Sequence, residues 1–211
     1  MILSRRKKFV FVGIQKTATT SIEQILSQYE SRFLRYYYRR KHARVNRADG
    51  RGYKHLPAEM AQRLIGQRTW RDYYTFTFIR NPWARTFSEF TGHRHQPEFS
   101  AYKKMETIPA FRAWIKDGGN WLVNENTMYK FISDSDNQPI VDFIGRFEQM
   151  DSDWQEISRA LQLPYHALPA LNKSKSSIPI REAYDQETAS IVFEWIKDDI
   201  SYFDYPDSPF T

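Results

Sequence analysis

The 211-residue chain contains no cysteine. That excludes disulfides and thiolate metal sites, and it suits a reducing, cytoplasmic setting. No apolar run approaches the length that a membrane span needs, and 27% of the residues are charged, the composition of a soluble protein. Ser4–Lys8 followed by Phe9–Val12 has the basic-then-apolar order of a signal peptide. The apolar part is too short, however, and no small-residue cleavage site follows, so these residues read as a first strand with a basic lead-in. No internal repeat or low-complexity linker divides the chain, and its length suits a single domain over residues 1–211. Acids are the scarcer charge, 25 against 31 Lys and Arg, which leaves a net charge of +6 and favours anionic partners.

The chain is organised around residues 9–29. Phe9–Val12 is an unbroken apolar run, the pattern of a strand buried on both faces. Gly13–Ala18 follows as a tight loop, and Ile22, Ile25, Leu26 and Tyr29 then recur at helical spacing, with Thr19, Thr20 or Ser21 as candidate caps. A buried strand, a short loop and a helix start make an anion site, because unpaired backbone N–H groups and the positive end of the helix dipole converge there. Lys16 adds a cation, and Thr17, Thr19, Thr20 and Ser21 add hydroxyls. The triphosphate-binding loop reads G-x-x-x-x-G-K-[ST]. Here Gly13 lies only three residues before Lys16 and Gln15 stands in place of the second glycine. Such a loop is short for a β-phosphate but long enough for one phosphate and the group attached to it.

Residues 32–54 carry nine Lys or Arg against the single acid Asp49, interleaved with Tyr36, Tyr37 and Tyr38. Phe33–Tyr38 reads as a second strand and residues 46–52 as a loop. Three uses fit this composition: nucleic-acid binding, a groove for an anionic or sugar substrate, and a solvated basic surface. Pro57 suits the first position of a helix with Met60, Leu64 and Ile65 on its apolar face, so His55 sits at a loop-to-helix junction where a side chain can face a cleft. Tyr73–Ile79 alternates as a strand, and Pro82 opens a helix carrying Trp83, Phe87 and Phe90. Arg80 therefore stands at the carboxyl end of a strand, the edge at which open α/β sheets bind ligands. An ATPase would put a magnesium carboxylate at such a strand end; a fixed cation there calls for a second phosphate instead. Arg85 reads as an exposed helix residue. Further along, the pattern predicts helices over 109–116, 124–132, 153–161 and 185–201, a strand over 140–147, and a polar loop over 171–179 in which Lys173 and Ser174 can reach an anion.

Two motifs carry a resemblance to a known family. Phe-Val-Gly-Ile-Gln-Lys-Thr-Ala-Thr-Thr-Ser, residues 11–21, resembles the 5′-phosphosulfate loop of the sulfotransferases that use 3′-phosphoadenosine 5′-phosphosulfate. Phe-Ile-Arg-Asn-Pro-Trp-Ala-Arg-Thr-Phe-Ser, residues 78–88, resembles their 3′-phosphate motif. Lys-His-Leu-Pro-Ala-Glu at 54–59, Asp-Phe-Ile-Gly-Arg-Phe-Glu at 142–148 and Leu-Asn-Lys-Ser at 171–174 are similar to the carbohydrate branch, although Gln15 replaces a proline common there. The resemblance implies a P-loop-like three-layer α/β fold with a central parallel sheet flanked by helices, and sulfuryl transfer to an acceptor hydroxyl of a carbohydrate, an acidic glycan among the candidates, without a metal. It assigns Gln15, Lys16, Thr17, Ala18, Thr19, Thr20 and Ser21 to the 5′ side of the donor and Arg80 and Ser88 to its 3′-phosphate, with Lys173 and Ser174 as further contacts. Lys16 and His55 become the catalytic pair, the lysine on the leaving phosphate and the histidine as general base. No nucleic-acid partner is expected on this reading. Two other readings stay open: a P-loop phosphotransferase needing magnesium, and a non-catalytic binder of anionic polymer or RNA on the same fold.

Overall fold

The computed structural model describes residues 1–30, 33, 35–37, 40, 53–93, 95–120, 125–169 and 178–211. The chain forms two compact units, one of residues 1–79 and 130–172, the other of residues 80–129 and 173–211. Among the described residues no helix is long and apolar enough to cross a membrane.

Among the described residues, the first unit is built on a four-stranded sheet. Its strands are β1 (Ile2–Ser4), β2 (Phe9–Val12), β3 (Tyr74–Ile79) and β4 (Phe143–Arg146), in that spatial order. β2–β3 and β3–β4 pair in parallel, whereas β1 runs antiparallel to β2 with Ile2 opposite Phe11. β2, β3 and β4 keep the expected parallel order, and β1 makes the sheet mixed. Residues 5–8 turn the chain back, and Ile2–Ser4 pairs onto the edge of β2. Phe9 and Phe11 on one face of β2 meet Phe76 across the strand pair, at ring separations of 5.9 and 5.3 Å. Ile22 and Leu26 of α1 (Thr19–Leu26) and Trp154 and Ile157 of α7 (Met150–Ala160) belong to the same buried cluster. Every residue of β2 is buried, as its unbroken apolar run requires. Between α1 and β3 lie α2 (Ala58–Ile65) and α3 (Gln67–Asp72).

Residues 33 and 35–37 are helical, not a strand. Aromatic β-propensity expresses fit to a half-buried pleated surface, and these side chains have no such surface: Phe33, Tyr36 and Tyr37 are 74, 58 and 50% exposed. Arg40 lies over the Tyr36 ring one helical turn away, 5.0 Å from its centroid. The loop expected over residues 46–52 lies outside the described residues.

The second unit is helical. Its elements are α4 (Pro82–His93), α5 (Thr107–Lys116), α8 (Ile180–Ala183) and α9 (Gln186–Phe203). The short α6 (Met128–Ile132) begins later than expected from the sequence. Trp83, Phe87 and Phe90 of α4 form one aromatic core with Phe111, Trp114 and Tyr184. Phe87 meets Phe111 edge-on at 4.9 Å, and the Tyr184 hydroxyl donates to the Trp83 carbonyl at 2.9 Å. α9 starts with a reciprocal cap, in which Asp185 Oδ1 accepts from the Thr188 amide and Thr188 Oγ1 from the Asp185 amide.

Gly145 of β4 lies opposite Phe78 of β3, and a Cβ on it would sit 2.5–3.0 Å from three carbons of that ring. Gly145→Ala is therefore expected to destabilise the protein by about 1–3 kcal/mol, the usual cost of overpacking. Urea unfolding would show it as a lower midpoint at unchanged slope.

Candidate active site

The site begins where β2 ends. Thr77 Oγ1 of β3 donates to the Val12 carbonyl at 2.7 Å and fixes the strand's last residue. The chain then turns through Gly13 to Ala18. The turn is closed by one acceptor: the Ile14 carbonyl takes hydrogen bonds from Thr17 Oγ1 at 3.0 Å and Thr19 Oγ1 at 2.5 Å. Both threonines are buried, so these hydroxyls brace the loop from inside. Lys16 and Ala18 hold left-handed backbone at φ 68° and 62°. For side chains other than glycine such conformations cost about 1–3 kcal/mol each and persist only where surrounding bonds enforce them.

The start of α1 corrects the sequence expectation. The N-cap is Ala18, which has no side-chain hydrogen bond to offer, and neither Thr19, Thr20 nor Ser21 caps the helix. The Ala18 carbonyl accepts from the amides of Ser21 and Ile22 at 3.0 and 3.3 Å. No acid stands in the first turn. A helix start with neither a capping oxygen nor a carboxylate keeps its dipole and its leading amides available to an anion. Gln15, Lys16 and Ala18 are half-buried around it, and Thr20 is exposed.

Residues 53–55 form a single 3-10 turn against this loop. The His55 ring bonds through Nδ1 to the Gly13 carbonyl at 2.8 Å. Since a carbonyl only accepts, Nδ1 carries the proton, and the neutral ring has its lone pair on Nε2. Leu56 beside it is fully buried and Pro57 is the N-cap of α2, one position earlier than expected. Lys54 Nζ pairs with Glu23 at 2.7 Å and reaches Thr20 Oγ1 at 3.3 Å. Its charge is thus held by α1. Lys54 was legible only as one of many basic residues, and nothing in the sequence marked Glu23 as its partner.

In the second unit, Arg80 follows β3 directly and is half-buried. Asn81 Oδ1 accepts from the Ala84 amide at 3.1 Å and caps α4. The signal for that cap was present, an Asn just before a proline-opened helix. Ser88 is half-buried two turns along α4. Arg85 is not an exposed helix residue: it is 2% exposed. Lys173 and Ser174 lie outside the described residues. The structure thus brings residues 13–21 together with 54 and 55 in one unit, while Arg80 and Ser88 belong to the other. Among the described residues, no group of three or more His, Asp or Glu side chains is arranged to hold a metal.

A family model described as the sulfotransferase family matches residues 1–206 and spans both units. The chain belongs to the sulfotransferase family. Membership makes it a transferase of sulfuryl groups, with a hydroxyl-bearing acceptor. An uncharacterized protein of Archaeoglobus fulgidus is 28% identical over 110 residues, covering 52% of this chain and 84% of its own. No solved structure matches the chain significantly.

Gly13 lets this sulfotransferase close its loop. A Cβ there would sit 2.7 Å from Thr19 Cγ2 and 3.3 Å from the Lys54 carbonyl. Gly13→Ala is expected to lower stability by about 1–2 kcal/mol. Adding Thr19→Ser, which deletes the offending methyl and keeps the hydroxyl, should recover part of that loss in a thermal melt. Equal melting of the single and double variants would contradict the packing described.

Proposed function

We propose that this protein transfers the sulfuryl group of 3′-phosphoadenosine 5′-phosphosulfate to an acceptor hydroxyl, on an acidic glycan. The observation that carries the reading is the start of α1: no side-chain cap, no acid in its first turn, and Lys16 and His55 attached to the same short loop. The donor groups suit a phosphosulfate. Helix amides and a lysine offer positive character, and no carboxylate of the first turn opposes it.

The donor supplies an activated sulfur whose bond to the 5′-phosphate oxygen breaks as the acceptor oxygen adds. Lys16 stabilises the negative charge that develops on that bridging oxygen. The amides of residues 17–20, with the hydroxyls of Thr20 and Ser21, hold the 5′-phosphate. Thr17 and Thr19 hold the loop in shape through Ile14, and Gln15 and Ala18 line it. Arg80 and Ser88 bind the 3′-phosphate, and Lys173 and Ser174 add contacts on the donor. His55 takes the acceptor proton on Nε2, while its Nδ1–H bond to Gly13 keeps the ring oriented. The acidic acceptor is read from the nine Lys and Arg of residues 32–54. The exposed rings of Phe33, Tyr36 and Tyr37, with Arg40 over Tyr36, add flat apolar faces on which a sugar can rest.

Calorimetry with adenosine 3′,5′-bisphosphate in the presence of EDTA tests the donor. Metal-free binding that Lys16→Ala weakens is expected; binding only of ATP, and only with magnesium, would replace this reading with a phosphotransferase. For the base, His55→Ala should bind the bisphosphate like the wild type and turn over about 10²–10⁴-fold more slowly. Unchanged turnover would remove His55 from the mechanism.

A further inference from the structure

α4 carries a buried charge that the sulfuryl-transfer reading does not use. Its aromatic face, Trp83, Phe87 and Phe90, is held by ring contacts and, at Trp83, by bonds from the indole Nε1 to the Pro206 carbonyl at 3.0 Å and from the Tyr184 hydroxyl to the Trp83 carbonyl. Arg85 ties the same helix through charge. Its guanidinium is 2% exposed and donates through Nη2 to the Asn126 carbonyl at 3.3 Å. Two buried carboxylates act on it electrostatically: Asp199 of α9, fully buried, and Glu89 one turn along α4, 3% exposed. Asp199 is itself held in place, its two oxygens accepting from the amides of Met128 at 3.0 Å and Tyr129 at 2.8 Å, at the start of α6. Glu89 Oε1 is anchored by His93 Nδ1 at 2.7 Å and Asn120 Nδ2 at 3.1 Å. Arg85 of α4 is therefore coupled by charge to Asp199 of α9, whose carboxylate is bonded to the first amides of α6. Burial pulls the Arg85 pKa down, and Asp199 and Glu89 oppose that shift.

Arg85 lies three residues before Ser88 on the same helix, so whatever fixes the rotation of α4 at Arg85 also fixes where the Ser88 hydroxyl points. We propose that Arg85 is a positioning residue for the 3′-phosphate cradle, setting the rotation of α4 so that Ser88 acts together with Arg80. This rests on the reading of Arg80 and Ser88 as ligands of the 3′-phosphate. The Asn126 carbonyl accepts from Nη2, a donor fixed in the plane of the guanidinium, and a lysine does not reproduce that geometry.

The test compares two nucleotides that differ only in the 3′-phosphate. Calorimetry gives the preference of each protein for adenosine 3′,5′-bisphosphate over adenosine 5′-monophosphate. Arg85→Lys keeps the charge and is expected to reduce that preference about tenfold, the size of one charge-assisted hydrogen bond misplaced. Binding of the monophosphate should change by less than about twofold, as expected for a distant, uncoupled contact. Gly145→Ala, which lowers stability in the first unit without touching this group, is the control for the case in which the lysine variant is destabilised. It should melt lower and keep the preference. Loss of the preference in this control as well, or equal weakening of both nucleotides by Arg85→Lys, would show a merely structural role and overturn the proposal. A wild type with no preference for the bisphosphate would overturn the reading of Arg80 and Ser88, and the proposal with it.

Discussion

The hydrogen bond from His55 Nδ1 to the Gly13 carbonyl is the constraint that places the imidazole at the site. It joins residues 42 positions apart in the chain and brings an imidazole to the loop that carries Lys16. Gly13 makes the approach possible, because a side chain there would collide with Thr19 and press on the backbone of Lys54. One atom therefore does two things. The carbonyl of Gly13 orients the ring, and by holding the proton on Nδ1 it leaves the basic lone pair on Nε2. Lys54 closes the same junction from the other side through Glu23 and Thr20.

The loop between β2 and α1 is held against its own preferences. Left-handed backbone at Lys16 and Ala18 is unfavourable for both residues. The buried hydroxyls of Thr17 and Thr19 offset it by sharing the Ile14 carbonyl. The outcome is a helix start with no side-chain cap at its N-cap residue, Ala18, and no acid in its first turn. On the function proposed for it, this is where the negative charge of a 5′-phosphosulfate would be stabilised. The internal role of the two threonines explains how so short a loop keeps its shape with a glutamine where the triphosphate-binding loop has its second glycine.

The second unit works with different forces. Its core is aromatic, held by edge-on ring contacts and by the Tyr184 hydroxyl on the Trp83 carbonyl. Within it lies the charged group of Arg85, Glu89 and Asp199, all nearly or fully buried. Buried charge is costly unless it is paired and hydrogen-bonded. The bonds to Asn126, Met128, Tyr129, His93 and Asn120 meet that requirement.

The sequence by itself determined the parts governed by local pattern. These are the buried strand Phe9–Val12, the strand Tyr74–Ile79, the helix opened by Pro82, the amphipathic helices around Trp114, Trp154 and Val192, and the motifs of the sulfotransferase family. Period and turn chemistry act over a few residues, so they can be read without the fold. The tertiary structure alone decided what depends on residues far apart in the chain. β1 became an antiparallel edge because β2 had an edge to offer. Residues 33 and 35–37 became helical because no sheet received their aromatic side chains. Arg85 was buried because Asp199, more than a hundred residues later in the chain, stabilises its charge. In each case the deciding partner is set by packing, and no local pattern records it.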